Sequence, residues 1–414
     1  MHHPGYIGHQ VAVPATDAIL ASWVSDLLNN GSAVYEMGMA ANAIEQRVIG
    51  QLCRAFELPD GASGIFTSGG SLANLTAMLA ARARAESRGI AGPYAVLVSD
   101  QAHYCIDRAV RIMGWGRAGI VELATDANFK VGEGSLEAGL IELATDANFK
   151  VGEGSLEAGL AEAQRRGRTP IAVVGMACST STGTYDDLGL LAAFAKTHDL
   201  WFHVDAAHGG AAGFSESERH LVRGIRHADS ITLDAHKMMR VPALTTMLLY
   251  AREEDSYRTF AQRADYLWDG DGSGEWYHSG QRTVECTKLM MGLRVFAQLQ
   301  AGGLDAIGDY VAHQHELAKA FAKTLRERPD WQTAHDPESN IVCFRHNPLH
   351  LAEPGALDAH NIALRDKLLH DGRWYVVSTR IRGVYWLRVS LMNPLTEVET
   401  LEMMLDYCED AVPA

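Results

Sequence analysis

Asp205 and Lys237 are the two residues whose types and positions best suit covalent chemistry in this chain. Asp205 ends the apolar run WFHVD, and Lys237 follows the apolar run SITL and the triplet DAH. A lysine amine can attack an aldehyde carbon, and a carboxylate can keep a nearby ring nitrogen protonated. Lysine side chains are usually exposed, but the apolar run before this one directs its stem inward. The pair therefore indicates a site for a cofactor that carries both an aldehyde and a nitrogen heterocycle.

Five motifs follow one another along the chain: FTSGGSLANL, DQAHYCIDRA, HVDAAHGG, DAHK and LRVSLMNPLT. In this order they resemble the group II pyridoxal 5'-phosphate (PLP)-dependent amino-acid decarboxylases, and the resemblance extends from His3 to about Asp406. It implies the α/β architecture of PLP-dependent fold type I. We therefore expect a mostly parallel seven-stranded sheet in a large domain, a small C-terminal α+β domain, and a homodimer with shared active sites.

The resemblance implies a role for each residue in these motifs. Lys237 binds PLP covalently, Asp205 keeps its ring nitrogen protonated, and His103 stacks on the ring and acts on the reacting carbon or carboxylate. Gly70 and Ser71 bind the phosphate, since glycines and the free N–H groups of a helix N-terminus suit an anion. The other cofactor contacts that it implies are Ser179, Thr180, Ala207 and His236.

Each motif also has an ordinary structural interpretation. An isolated TSGGS is most often a glycine turn with a serine helix cap, and a lone histidine such as His103 is most often structural. An aspartate at a strand end often caps a helix. The order of the five motifs favours the cofactor interpretation, although Met238 stands where the family often has tryptophan.

Two distant residues suggest the substrate. In the resembled glutamate decarboxylases, an arginine in a similar motif and a glutamine near the start bind the side-chain carboxylate; Arg388 and Gln10 match them. An arginine at this position also occurs in relatives that act on diaminobutyrate, so an acidic substrate is only slightly favoured. Gln10 lies in the N-terminal arm and Arg388 in the C-terminal domain, so we expect only a folded dimer to bring them together. Tyr35 either lines the pocket or packs on the following helix.

The glycine-rich stretch ADYLWDGDGSGEWYHSGQRT corresponds to the catalytic loop of the family. That loop often carries a tyrosine that protonates the carbanion left after CO2 departs. Tyr277 and Tyr266 are the candidates for this role, and Tyr277 is our choice as the catalytic residue. Without such a tyrosine, transamination or oxidative side reactions become more plausible.

The hydrophobic pattern predicts the elements that position these residues. A helix is predicted over residues 17–28, and apolar runs predict strands at 94–98, 171–175, 201–204 and 230–233. Beyond residue 303, a long helix over 304–326 precedes strands near 340–344 and 385–389. The predicted divisions are an N-terminal arm at the dimer interface (1–40), a large PLP-binding domain (41–302) and a small C-terminal domain (303–414).

Composition excludes several classes of protein. The 414 residues carry a net charge of −15, which argues against nucleic acid or an anionic membrane as partner. Six scattered cysteines without a CxxC pair predict neither a metal site nor a disulfide framework, so a cytoplasmic protein is expected. No apolar run approaches membrane-spanning length.

A tandem repeat interrupts the family pattern. Residues 121–140 (VELATDANFKVGEGSLEAGL) recur as 141–160 with Ile141 in place of Val121 as the single difference. A near-perfect pair is typical of a recent or engineered duplication and not of a solenoid. We expect the first copy to supply the strand, the second to continue into the helix, and the extra residues to bulge at the surface without a role in the chemistry.

The motifs imply an L-amino-acid decarboxylase, a carboxy-lyase that releases CO2 and an amine. The alternatives are an aromatic or diaminobutyrate decarboxylase, or a PLP-dependent C–C lyase or aminotransferase of the same fold. A non-enzyme alternative is a PLP-binding protein inactivated by the duplication.

Overall fold

The computed structural model describes residues 1–115, 140–143, 145–147, 149–260, 275–348, 351 and 353–410. Within these residues no helix is both long enough and apolar enough to span a membrane.

A seven-stranded sheet forms the centre of the larger part of the molecule. Its strands run in the order β1-β7-β6-β5-β4-β2-β3, and the pairs from β3 to β6 are parallel, whereas β7 is antiparallel to both neighbours. The prediction of a mostly parallel seven-stranded sheet is confirmed. The strands are β1 (Ser63–Thr67), β2 (Tyr94–Ser99), β3 (Leu140–Leu143), β4 (Thr169–Met176), β5 (Trp201–Asp205), β6 (Ser230–Asp234) and β7 (Thr246–Tyr250).

Helices cover both faces of this sheet, which explains why its strands are apolar runs and do not alternate with polar residues. On one face, Val96 and Val174 pack with apolar residues of α3 and α4. On the other, Leu97 and Val173 pack with α2, α6 and α8. The helices are α1 (Thr16–Leu28), α2 (Met39–Ala55), α3 (Gly70–Ser87), α4 (Cys105–Ile112), α5 (Glu153–Arg165), α6 (Leu188–Thr197), α7 (Glu254–Tyr257) and α8 (Gly292–Ala301).

A second, antiparallel sheet of order β10-β11-β9-β8 follows and has its own apolar core. This arrangement agrees with the expected small α+β unit, while the domain limits themselves stay predictions. Its elements are α9 (Gly303–Glu327), β8 (Trp331–Thr333), β9 (Ile341–His346), α10 (Pro354–Asp371), β10 (Val377–Ile381), β11 (Val384–Ser390) and α11 (Val398–Asp410).

The start of the chain packs on this second sheet. Ser390 N–H donates to the Ile7 carbonyl at 2.7 Å, and Tyr375 N–H donates to the Gly5 carbonyl at 2.8 Å. A Cβ at Gly5 would lie 2.0 Å from the Arg373 carbonyl oxygen, so glycine is required for this close approach. One chain thus brings residues 5–7 of the arm to the C-terminal unit without a second copy, while a shared pocket for Gln10 and Arg388 stays a prediction.

The second copy of the repeat supplies a complete strand, loop and helix. β3 starts at the last residue of the first copy and pairs with β2, which is bonded on its other side to β4. The expectation that the first copy forms this strand is wrong, since both edges of β2 are taken. In the following loop, Phe149 packs against Ile341 and Cys343 of the small domain. The expected surface bulge falls on residues 121–139, outside the described residues.

Candidate active site

A cavity of about 380 Å³ opens at the carboxyl ends of the central strands. β5 and β6 end there at Asp205 and Asp234, and β1 leads into the turn before α3. Ligand sites in open α/β sheets commonly lie at this edge. Eight predicted residues line the cavity: Gly70, Ser71, His103, Thr180, Asp205, Ala207, His236 and Lys237.

Lys237 forms a buried ion pair at the base of this cavity. Its Nζ lies 2.9 Å from Oδ2 of Asp234, and the other oxygen, Oδ1, accepts a hydrogen bond from the Thr246 hydroxyl. Burial alone would raise the pKa of Asp234, but Lys237 and His236 outweigh it and hold this pKa below its ordinary value. Burial would likewise lower the pKa of Lys237, and Asp234 outweighs it and raises this pKa. The chain thus holds Lys237 as an ammonium, with its proton directed at Asp234.

The turn before α3 has the geometry of an anion site. Gly69 adopts φ = +133°, which favours glycine, and its carbonyl accepts from the N–H groups of Leu72 and Ala73. The preceding N–H groups, on Gly70 and Ser71, have no backbone acceptor in the described part of the chain. Free N–H groups at the positive end of a helix dipole suit a phosphate. This turn can therefore hold a phosphate group.

Gly70 also lies close to the ion pair described above. A Cβ at this position would lie 3.1 Å from each carboxylate oxygen of Asp234, so a larger residue would crowd the pair. Nearby, the imidazole Nδ1 of His236 lies 3.0 Å from the Thr245 carbonyl oxygen. The anion turn, the histidine and the lysine thus form one end of the cavity.

Asp205 lines the same cavity. Its side chain is only 4% exposed, Oδ1 accepts from Ala207 N–H at 3.1 Å, and Oδ2 accepts from Asn74 Nδ2 at 2.7 Å. Next to it, His103 Nδ1 accepts from Cys105 N–H at 3.3 Å. Burial lowers the pKa of His103, against the opposing effect of Asp205. A neutral imidazole beside a buried carboxylate is suited to contact a cationic aromatic ring.

The donor set fits PLP. The free N–H groups of the turn before α3 suit its phosphate, Lys237 suits its aldehyde, and the buried carboxylate of Asp205 suits its ring nitrogen. All three groups line one cavity. Residues 2–347 match the pyridoxal-dependent decarboxylase conserved domain, and the chain belongs to this family. The protein is thus a PLP-dependent amino-acid decarboxylase, a carboxy-lyase.

Known relatives span several substrates. The chain is 28% identical to an aromatic-L-amino-acid decarboxylase of Bacillus atrophaeus, over 91% of this chain and 75% of the relative. It is 29% identical to an L-2,4-diaminobutyrate decarboxylase of Rhizobium meliloti, over 98% and 77%. The structure of Oryza sativa TDC with PLP and tryptamine superposes with a TM-score of 0.87 at 22% identity, over 98% of this chain and 83% of that one. This structural likeness shows the shared fold.

Five predicted residues do not line the cavity: Ser179, Tyr35, Tyr277, Gln10 and Arg388. The Ser179 hydroxyl is buried and turned away, donating to the Gln101 carbonyl at 3.1 Å. Tyr35 and Tyr277 pack edge to face, with ring centroids 5.6 Å apart, and neither contributes to the cavity lining. Their predicted roles stay predictions, and Tyr266 lies outside the described residues.

Arg388 is a buried cation that has no carboxylate partner among the described residues. It is 7% exposed, its Nη2 donates to Ser390 Oγ at 3.2 Å, and its Nε has no partner among the described residues. Burial lowers its pKa, and its polar neighbours are the thiols of Cys343 and Cys178. Gln10 Nε2 is also buried, and no described residue bonds to it. No ion pair of the described residues includes Arg388, so nothing there supports an internal pairing with an acid such as Glu36.

Sequence reasoning missed three residues that line the cavity: Asn74, His208 and Asp234. Asn74 lies four residues after Gly70 on α3 and so faces the same side of that helix. Asp234 ends β6 just as Asp205 ends the adjacent strand β5, and this parallel could have identified it. His208 is part of the motif HVDAAHGG, but nothing in the sequence distinguished it as a residue of the cavity.

Proposed function

We propose that this decarboxylase acts on an L-amino acid with an acidic side chain, such as aspartate, glutamate or cysteine sulfinate. The observation that carries the proposal is Arg388, a buried guanidinium with an unpartnered Nε and no carboxylate neighbour in the described chain. A buried charge without a counter-ion is costly, and a planar guanidinium matches a carboxylate or sulfinate in two hydrogen bonds. A substrate with such a group would supply the missing partner.

The chain's own residues perform the binding and proton-transfer steps. When bound, PLP supplies the electron sink that accepts the electron pair left on the α-carbon as CO2 departs. Asp205 holds the charge of its ring nitrogen, and the turn before α3 fixes its phosphate. Lys237 would hold the aldehyde carbon of the cofactor, and its amine keeps a proton next to Asp234, 2.9 Å away. The product carbon needs one proton, for which Tyr277 stays the predicted donor.

A diamino acid is the second candidate, and His208 is the observation in its favour. The Nδ1 atom of this buried histidine has no partner among the described residues, so it could accept a hydrogen bond from a terminal amine. However, burial and the charges of Lys237 and Arg388 lower the pKa of His208 to about 3. An additional ammonium group would meet the same two positive charges, and for this reason we place the acidic substrate first.

We also propose that the active sites are shared in a homodimer. In α1, the small residues Ala18 and Ala21 are buried, whereas the large apolar residues Trp23 and Leu27 are 68% and 84% exposed. Leu244, which lines the cavity, is also exposed. A second copy covering these surfaces would close the mouth of the cavity and could bring Tyr35 and Tyr277 to it. Light scattering should give twice the monomer mass, and Trp23→Glu with Leu27→Glu should reduce it; a monomeric wild type contradicts this proposal.

CO2 release from a panel of amino acids tests the substrate. The panel contains aspartate, glutamate, cysteine sulfinate, 2,4-diaminobutyrate, ornithine and the aromatic amino acids, each incubated with the PLP-loaded enzyme. We expect the highest kcat/KM for one of the three acids. Turnover confined to an aromatic or diamino acid would refute the acidic assignment and leave the decarboxylase class intact.

A further inference from the structure

A buried series of hydrogen bonds connects Trp201 to Asp205 through residues that have no assigned role. Trp201 Nε1 lies 2.8 Å from Ser230 Oγ, and Ser230 Oγ lies 2.8 Å from His203 Nδ1. His203 Nε2 lies 2.9 Å from Asn74 Oδ1, and Asn74 Nδ2 lies 2.7 Å from Asp205 Oδ2. All five side chains are buried. We call this series the Asp205 relay.

The two ends of the Asp205 relay fix the direction of every bond. The carboxylate of Asp205 can only accept, so the Asn74 amide must present its NH2 group to it. The second hydrogen of this NH2 group has its own acceptor, Cys105 Sγ, at 3.0 Å. The Asn74 oxygen therefore faces His203 Nε2, which must carry the ring proton.

The Trp201 end of the Asp205 relay also places the ring proton of His203 on Nε2. An indole N–H can only donate, so Ser230 Oγ accepts from Trp201 and keeps its own hydrogen for His203 Nδ1. Burial lowers the pKa of His203 to about 4, although Asp205 opposes this effect. The imidazole is thus neutral near pH 7, with its single proton on Nε2. Every bond of the relay donates toward Asp205.

We propose that His203 is a positioning residue that acts through Asn74 to fix the Asp205 carboxylate against the ring nitrogen of PLP. The proposal rests on the PLP-dependent activity but not on the identity of the substrate. Asn74 holds Oδ2 and Ala207 N–H holds Oδ1, so the carboxylate cannot rotate about its last bond. Each oxygen keeps a free lone pair for the cofactor, and aligned donors strengthen one another at low dielectric.

The protonation state of His203 in the PLP-loaded enzyme is the first test. Nitrogen-15 NMR of histidine-labelled protein should show a protonated Nε2 and an unprotonated Nδ1 for His203 between pH 6 and 8. His315 serves as an internal reference of the opposite kind, since its Nδ1 lies 3.0 Å from Glu218 Oε2 and so carries a proton. A His203 signal with the proton on Nδ1, or on both nitrogens, would overturn the proposal.

Variants of His203 give the second test, with readouts that need no turnover. His203→Gln keeps an amide donor that can reach Asn74, whereas His203→Leu removes it. We expect His203→Leu to raise the dissociation constant of PLP about tenfold, as for loss of one hydrogen bond to a charged group, and His203→Gln to stay within about twofold of wild type. The nitrogen-15 shift of the PLP ring nitrogen should move toward the unprotonated value in His203→Leu.

A folded His203→Leu protein with unchanged PLP affinity and ring-nitrogen shift would overturn the proposal. If His203→Leu does not fold, Ser230→Ala replaces it, because this change removes the hydrogen donated to Nδ1 together with the acceptor of Trp201 Nε1. Ser230→Ala should then shift the nitrogen-15 signal of His203 Nδ1, which loses its donor, and weaken PLP binding, and an unchanged spectrum and affinity would also refute the relay. A wild type that shows no bound PLP signal would instead refute the cofactor assignment itself.

Discussion

The residues that line the cavity and the two proposed substrate-binding residues differ in how their buried polar groups are satisfied. In the cavity, both oxygens of Asp205 accept hydrogen bonds, and Asp234 is paired with Lys237. In the proposed substrate-binding residues, which do not line the cavity, Arg388 Nε and Gln10 Nε2 have no partner among the described residues. Buried polar atoms in folded proteins are almost always hydrogen-bonded, so the unpartnered atoms indicate where a ligand is expected.

This difference has a simple physical origin. The cofactor-binding groups must be held in place before PLP arrives and while the lysine is detached from it, so the chain provides their partners. The acidic substrate that we propose would bring its own charged group, and a partner within the chain would compete with it. The difference is clearest between Lys237, which is paired with Asp234, and Arg388, whose Nε has no partner among the described residues.

The largest effect is expected in the cavity. Lys237→Ala removes the amine that the described cavity lining offers to the aldehyde, so borohydride reduction followed by mass spectrometry should find no PLP on the protein. Turnover should fall about 10⁴-fold or more. Lys323→Ala, at an exposed lysine of α9, is the matched control and should behave as wild type. Covalent PLP at the usual stoichiometry in Lys237→Ala would make the assignment wrong.

The substitution Asp234→Asn removes the charge of Asp234 and tests whether that charge controls Lys237. Asp234 keeps Lys237 protonated, so Asp234→Asn should lower the pKa of Lys237 and increase the fraction of free amine at a given pH. The midpoint of a plot of PLP attachment rate against pH should therefore shift to lower pH. Rapid mixing of apoenzyme with PLP measures this rate. An unchanged or higher midpoint would exclude Asp234 as the group that controls the lysine.

The buried histidines predict the pH dependence of stability. The pKa of His203 is lowered to about 4 from an ordinary value of 6.5, so between these values the unfolded chain binds a proton that the folded one does not. Stability is then full above about pH 6.5 and is lost as the pH falls, by up to about 1.4 kcal/mol per pH unit for this residue.

Urea unfolding of the PLP-loaded enzyme at several values between pH 7 and 5 should show this loss. The loss should be smaller in His203→Gln, and an exposed-histidine control, His220→Gln, should keep the wild-type slope. Equal slopes in wild type and His203→Gln would mean that His203 is not held neutral by the fold.

The smallest effect is expected from the repeat. The second copy supplies β3, its loop and α5, so deletion of residues 121–140 removes one strand residue, Leu140, and Ile120 takes its place. Deletion of 141–160 gives a chain that differs only by valine in place of isoleucine. Both variants should keep their PLP affinity, and their free energies of unfolding should differ by no more than about 1 kcal/mol, the usual size of an Ile-to-Val change. Insoluble or PLP-free deletion variants would show that the extra copy has become structural.

The sequence predicted the parts of the site that depend on strand ends. Asp205 and Lys237 follow apolar runs, and the parallel sheet brings such ends to one edge. Side-chain direction in a loop has no comparable pattern, and for this reason Ser179 was expected in the cavity although its hydroxyl turns to Gln101. Asn74 was missed because its role depends on a contact between α3 and β5 that no local pattern predicts.

Contacts between distant segments also could not be predicted from the sequence. The apolar side of α1 could be recognised from the sequence, but its exposure could not be predicted, because helix periodicity does not say which face packs on α8. Likewise, two nearly identical copies of one segment carry the same local signals. The choice of the second copy for β3 depends on the whole chain and not on either copy.

The effect of Arg388→Met on substrate and cofactor binding tests the central contrast most directly. Loss of a buried charged partner should lower kcat/KM for the preferred acid by about 30-fold or more, equivalent to about 2–5 kcal/mol, while the dissociation constant of PLP stays within about twofold. Arg380→Met, at an exposed arginine on the adjacent strand β10, is the control and should leave both unchanged. A parallel loss of PLP affinity in Arg388→Met, or an unchanged kcat/KM, would contradict the account.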